Sequence, residues 1–382
     1  MKYRSFPRIP GEEISVLGFG CMRLPVVGGD MMQIDEQVAQ PMLRQAIAAG
    51  VNYVDTAYPY HGGQSELFVG RALKDGYRAK VQLATKLPVW LVQAESDWER
   101  LLDEQLKKLD TDHIDFYLLH ALSGPRWQTV MDLHGLRAME RARLDGRIRH
   151  LGFSMHDSLS VFKTIIDGYD WEFCQIQYNF IDQQYQAGTE GLHYAADRRI
   201  GAIVMEPLRG GTLAAAQPED IQRIWARSPA TAERTPADWA LRWVWNHPEV
   251  VTALSGMGAV SQLQENLATA NAAQAGGLDA EALAQIEAVR AIYASRVRVP
   301  CTTCGYCAPC PSGVAIPEVF ACYNTGSMFN NWKSAAWQYD TFHASQGHGA
   351  DQCLACGECE TKCPQHIPII EKLQEARAAL TV

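Results

Sequence analysis

The chain is 382 residues long, 47% apolar and 20% charged, with a formal net charge of −9. That length suits one large domain plus a small one, and the composition excludes a disordered chain. The acidic balance argues against a nucleic-acid partner, no apolar run approaches bilayer length, and the basic N-terminus has no apolar signal core behind it, so a cytoplasmic protein is expected.

Short apolar runs alternate with amphipathic stretches along most of the chain. Strands are expected at 16–20, 51–54, 81–86, 114–120, 148–154, 173–179, 201–206 and 250–255. Helical patterns follow them at 41–49, 66–73, 96–109, 130–144, 159–166, 191–198, 236–246 and again from 261, several stopped by glycine. Pro236 occupies the first turn of its helix, where proline is tolerated. Eight strand-then-helix units predict an α/β fold, a closed parallel (β/α)8 barrel with an outer ring of helices. The competing doubly wound sheet would carry Gly-x-Gly-x-x-Gly after its first strand. Here Gly18-Phe-Gly20 runs into Met22-Arg-Leu-Pro instead.

Composition changes near Ser295. Residues 293–300 read as a linker, so the expected division is a barrel over 1–295 and a small, mainly helical domain over 296–382 that ends in a helix from 369 to 380. Eight of the 11 cysteines fall in two tight runs after residue 300. Regular two-residue gaps favour metal or cluster ligation over a disulfide framework. Cys21, Cys174 and Cys322 lie outside the runs and read as small apolar packing residues.

In a parallel barrel, reactive residues sit at the C-terminal ends of strands. Asp55, Lys86 and His120 each end a predicted strand, and Tyr60 lies in the loop after one. Taken singly, each has a plain structural account: a turn cap, a solvated charge, a packed histidine. Four on one rim point to a reaction site. A phenol has a pKa of about 10, and an adjacent ammonium should lower it. Asp55 can hold Lys86 charged, and His120 can donate to a substrate oxygen. The set suits protonation of a carbonyl oxygen while hydride reaches its carbon.

These residues resemble the aldo/keto reductase family over roughly residues 10–290. The likeness rests on Asp55-Thr-Ala-x-x-Tyr60-x-x-x-x-Ser-Glu66, Thr85-Lys86, Asp115-Phe-Tyr-Leu-Leu-His120, Gly152-Phe-Ser154, Gln175-x-x-Tyr178-Asn179 and Glu265-Asn266. It implies a nicotinamide cofactor, NADP(H) or NAD(H), extended across the barrel mouth. It also implies a tetrad of Asp55, Tyr60, Lys86 and His120 with Tyr60 as proton donor. Carried over residue by residue, Ser154 and Gln175 would meet the carboxamide, and Glu265 and Asn266 would lie near the adenine. Where many members stack a tyrosine on the nicotinamide, this chain has Met205, whose polarizable thioether can cover a ring. Gln262 stands where a basic residue often grips a 2′-phosphate, which leaves NAD against NADP open. Arg209 is either a diphosphate contact or a solvated loop charge. Trp90 reads as a packed rim aromatic, with lining of the substrate mouth as the alternative.

The first cysteine run is Cys301-x-x-Cys304-x-x-Cys307-x-x-Cys310-Pro311. The second, Cys353-x-x-Cys356-x-x-Cys359-x-x-x-Cys363-Pro364, matches the bacterial ferredoxin spacing for [4Fe–4S] clusters, in which the fourth cysteine ligates the other cluster. Cys301, Cys304, Cys307 and Cys363 are therefore assigned to one cluster, and Cys353, Cys356, Cys359 and Cys310 to the second. The first run is one residue short before its last cysteine. Zinc sites, built from separated Cys-x-x-Cys pairs, are the alternative. The whole chain then resembles an iron–sulfur subgroup of the aldo/keto reductases. The function expected is NAD(P)H-dependent reduction of an aldehyde or ketone, or the reverse oxidation of an alcohol. The alternatives are an electron-transfer protein fed by a ferredoxin or similar partner, and a nucleotide or redox sensor without turnover.

Overall fold

The computed structural model describes residues 1–229, 231–301 and 305–381. The chain forms two compact units, Met1–Ala215 with Glu233–Ala282, and Ala216–Ala232 with Leu283–Val382.

The first unit opens with a hairpin of β1 (Tyr3–Ser5) and β2 (Glu13–Ser15), antiparallel and only three residues a side. The sequence reading missed it because three residues are too few to show a period of two. Alternating strands and helices follow: β3 (Leu17–Gly20), α1 (Glu36–Ala48), β4 (Tyr53–Asp55), α2 (Gln64–Ala72), β5 (Gln82–Leu87) and α3 (Asp97–Leu109). Then come β6 (Ile114–Leu122), α4 (Gly124–Asp132), α5 (Gly135–Leu144), β7 (Ile148–Met155), α6 (Leu159–Asp167), β8 (Phe173–Gln177), α7 (Gly188–Asp197) and β9 (Gly201–Met205). After α8 (Glu219–Trp225), which belongs to the second unit, the chain returns through α9 (Pro236–Asn246), β10 (Val250–Ser255) and α10 (Val260–Asn271).

Strands β3 to β10 close into a parallel barrel in the order β10-β3-β4-β5-β6-β7-β8-β9, as the eight apolar runs require. Side chains on both faces of these strands are buried, the inner set by the barrel core and the outer set by the helices. Phe6, just after β1, stacks on Phe116 and Phe173 with ring centroids 5.4 and 5.7 Å away. It thus closes the barrel at the end where β8 and β9 begin. The expected single helix over 130–144 is two helices. His134 takes a left-handed conformation (φ 51°), and a Cβ on the next residue, Gly135, would fall 2.7 Å from the Trp98 ring. The break lets α5 start in contact with α3.

Gly70 shows how tightly the outer ring packs. A Cβ there would lie 2.8 Å from the backbone of Lys108 and Leu109 at the end of α3. Backbone cannot rotate aside as a side chain can, so Gly70→Ala should cost about 1–3 kcal/mol. Thermal or urea unfolding of the variant checks this; an unchanged midpoint would contradict the packing described.

The second unit contains α11 (Ala280–Ser295) from Leu283 onward, α12 (Ile316–Phe329), α13 (Trp332–Phe342), α14 (Glu358–Lys362) and α15 (Ile369–Leu380). Residues 293–295, read as the start of a linker, are instead the last turn of α11. The terminal helix runs where its pattern placed it. Helices α12, α13 and α15 bury Val319, Phe320, Tyr339, Leu373 and Ala376 in one core, and Cys301, Cys307, Cys310, Cys353, Cys359 and Cys363 pack half-buried against it. Cys356 is exposed, and Cys304 lies outside the described residues. No helix among the described residues is long and apolar enough to cross a membrane.

Candidate active site

Three adjacent parallel strands, β4, β5 and β6, end at the same rim of the barrel and carry Asp55, Lys86 and His120 there. Strand alternation turns Lys86 inward and its neighbour Thr85 outward. The Thr85 hydroxyl donates to the buried Glu66 carboxylate at 2.7 Å. Gln105 donates both to Glu66 and, at 3.1 Å, to the Lys86 carbonyl. This polar layer anchors the β5 backbone directly behind the lysine.

Lys86 is fully buried, and its ammonium has three acceptors: Asp55 Oδ1 at 2.6 Å, the Thr56 carbonyl at 2.8 Å and the Tyr60 hydroxyl at 3.3 Å. Burial opposes its charge, but Asp55 and Tyr60 more than offset this and hold the lysine protonated above its ordinary pKa. Tyr60 opens the short turn Tyr60–Gly63, in which His61 and Gly62 take left-handed backbone angles. His61 fixes that turn by accepting from the Leu24 N–H at 3.3 Å through Nε2 and donating to the Met31 carbonyl at 2.7 Å through Nδ1.

The expectation that Lys86 would pull the Tyr60 phenol below its usual pKa is corrected here. Burial raises it, Lys86 opposes, Asp55 adds to the rise, and the net direction is upward. Desolvation of a phenolate outweighs one ammonium already shared with a carboxylate. Tyr60 therefore keeps its proton. His120 is driven well below its usual pKa, first by burial and then by Lys86, His156 and Arg126, so its imidazole is neutral. Its ring lies edge-on to Tyr60, with centroids 6.2 Å apart, and its buried Nδ1 has no hydrogen-bond partner among the described residues. Because His120 cannot charge near neutrality, kcat/KM for a reaction run at this site should show no limb near pH 6.5. A pH–rate profile with an ionisation there would contradict the neutral imidazole.

The next three strands continue the rim. Ser154 on β7 and Gln175 on β8 are register partners. Ser154 Oγ accepts from the Ala121 N–H at 2.9 Å. Gln175 donates to the Met205 sulfur at 3.5 Å, while its buried Oε1 has no partner among the described residues. Beyond Met205, a cleft of about 240 Å³ is lined by Arg23, Glu206, Gly210, Gly211, Gly256 and Gln262, among others. Arg23 pairs with Glu206 across it at 3.3 Å. Arg209 pairs with Asp182 at 3.1 Å. On α10, Asn266 is buried and donates to Ser255 Oγ at 2.8 Å, and Glu265 accepts from the Thr235 hydroxyl.

Sequence reading did not find Arg126, met His156 only as a departure from the family pattern after Ser154, and preferred a packed role for Trp90. Trp90 is 39% exposed, with its ring 5.1 Å from that of His120. Arg126 stacks over Trp90 at 5.2 Å. Starting the helix after β6 at 130 rather than at Gly124 hid Arg126 from view, because its place in the first turn beside the rim was the available signal.

The family model described as aldo/keto reductase family matches residues 16–291. The chain belongs to the aldo/keto reductase family. A second model, a 4Fe–4S dicluster domain, matches residues 300–368, so this aldo/keto reductase carries an iron–sulfur domain after its barrel. L-galactose dehydrogenase of Arabidopsis thaliana is 27% identical over 304 residues, 73% of this chain and 91% of the relative. NADH-specific methylglyoxal reductase of Escherichia coli is 25% identical over 301 residues, 68% of this chain and 90% of the relative. An aldo-keto reductase from Bacillus halodurans, in its holo form, superposes with a TM-score of 0.61 at 25% identity and covers 75% of this chain and 96% of its own. This aldo/keto reductase is thus an NAD(P)-dependent oxidoreductase.

Proposed function

We propose that the protein reduces an aldehyde or ketone, or oxidises the corresponding alcohol, with Tyr60 as general acid/base. The observation that carries the reading is the single ammonium of Lys86, bonded at once to the Asp55 carboxylate and to the Tyr60 phenol at the barrel mouth. A nicotinamide supplies the hydride when bound. The residues present fit such a group. Ser154 and Gln175 sit side by side, and the unsatisfied Gln175 Oε1 can accept from a carboxamide. Met205 stands next to Gln175. The glycine-lined cleft beyond it offers close backbone approach for the rest of a dinucleotide, with Glu265, Asn266 and Arg209 on its flanking elements. The relatives' names point both ways on the nucleotide. One is an NADH-specific reductase, whereas a Klebsiella pneumoniae aldo/keto reductase of 25% identity and TM-score 0.58 was solved with NADP and acetate.

In the reduction, Tyr60 and the neutral His120 bind the carbonyl oxygen and orient its carbon. The Tyr60 proton passes to that oxygen as negative charge develops there. Lys86 stabilises the resulting phenolate, and Asp55 keeps Lys86 in place. Consumption of NADH or NADPH by a panel of aldehydes and ketones tests the reading. Turnover only with a reduced iron–sulfur donor, and none with either nucleotide alone, would favour the electron-carrier alternative.

The C-terminal cysteines fit two [4Fe–4S] clusters by residue type and spacing. Cys310, Cys353 and Cys359 pack half-buried against the same core, and the crossing of Cys310 to the second run is part of this reading. Anaerobically purified protein should hold about eight iron and eight sulfide per chain. Cys363→Ser should lose about half of each, measured by iron and sulfide analysis; full retention would remove Cys363 as a ligand.

A further inference from the structure

We propose that Arg126 forms a carboxylate subsite at the barrel mouth, so that the preferred substrates are aldehydes or ketones carrying a carboxylate. The inference rests on the carbonyl-reductase reading and names its substrate class.

Three observations carry it. First, Arg126 sits in the first turn of α4, immediately after the strand that delivers His120. Its Nη1 is tied to the Ala121 carbonyl at 2.6 Å, which fixes the guanidinium without neutralising it. No acidic side chain pairs with it among the described residues. Asp157, on the loop after β7, accepts from the Gly124 and Ser158 N–H groups and makes no ion pair with Arg126. Second, Tyr60, His120, Trp90 and Arg126 form a continuous series of ring contacts leading outward from the proton donor. The exposed face of Trp90 offers a flat apolar wall for the carbons between a carbonyl and an acid group. Third, the surroundings are short of negative charge. Asp55 is committed to Lys86 and Glu206 to Arg23. His156, bonded to Gln186, faces the same region; burial lowers its pKa first, Gln186 and Glu206 oppose, and Arg126 adds to the lowering. A planar guanidinium with remaining donors matches a carboxylate in bidentate fashion and does not match an ester or an alkyl group.

The test compares 4-carboxybenzaldehyde with its methyl ester on the full-length holoenzyme, by calorimetric binding and by steady-state reduction. The acid should bind about ten- to a hundredfold more tightly than the ester, the range expected of charge-assisted pairing. In Arg126→Gln this preference should fall to near unity, with the loss expressed in KM for the acid. Arg126→Lys should retain part of it. Equal binding of acid and ester by the wild type, or equal weakening of both in Arg126→Gln, would overturn the proposal. Arg126-dependent binding of the acid without reduction of either compound would uphold the subsite and count against the reductase reading alone.

Discussion

Replacing Tyr60 with phenylalanine should lower kcat/KM for carbonyl reduction by about 10²–10⁴-fold, the usual worth of a positioned general acid, without loss of nicotinamide nucleotide binding. The substitution deletes one oxygen and leaves the ring, which lies 4.9 Å from the Lys86 ammonium and 6.2 Å from His120. The turn that carries residue 60 is held by His61 and its two backbone partners, so the local conformation should survive. The phenol's raised pKa means that nearly every molecule enters the reaction with the proton in place, and the substitution removes the hydroxyl that accepts from Lys86. Reduction at near wild-type rate by Tyr60→Phe, with nucleotide affinity measured in parallel, would sink the assignment and leave His120 as the remaining candidate.

Lys86→Met should destabilise the protein by about 3–5 kcal/mol and abolish reduction, because it strands the Asp55 carboxylate in the barrel. Asp55 Oδ2 already has no partner among the described residues, and Oδ1 would lose its only ammonium. Burial already raises the pKa of Asp55, and Lys86 works against that rise. Without the lysine the folded-state value climbs further above the unfolded one. Such a group stabilises the fold below its unfolded pKa and loses that contribution as pH rises through the folded value. The variant's deficit should therefore be smaller near pH 5 than near pH 8. The double variant Lys86→Met/Asp55→Asn should recover part of it. Melting temperatures of wild type and both variants at the two pH values check this; a deficit independent of pH would mean that the stranded carboxylate is not its cause.

Much of the site was legible because a parallel barrel maps sequence position onto space in a simple way. A residue at the end of an apolar run must stand on the mouth, and Asp55, Lys86 and His120 are such residues. The dicluster domain was equally legible, since the cluster-binding pattern is encoded in cysteine spacing. The local breaks were not. The turn at His134 depends on Gly135 packing against Trp98, a residue 37 positions earlier in the numbering, and the three-residue hairpin strands carry too short a pattern to read.

The linear order of apolar runs, glycine stops and rim residues was sufficient for the barrel and the catalytic candidates, because both follow from local periodicity. The ionisation of Tyr60 and the stack from His120 through Trp90 to Arg126 were decided only by the folded chain. Desolvation and ring stacking depend on what surrounds a side chain, and here those surroundings come from three different loops. Burial turned the expected downward shift of the phenol into an upward one, and folding placed beside the mouth a guanidinium with no acidic partner among the described residues.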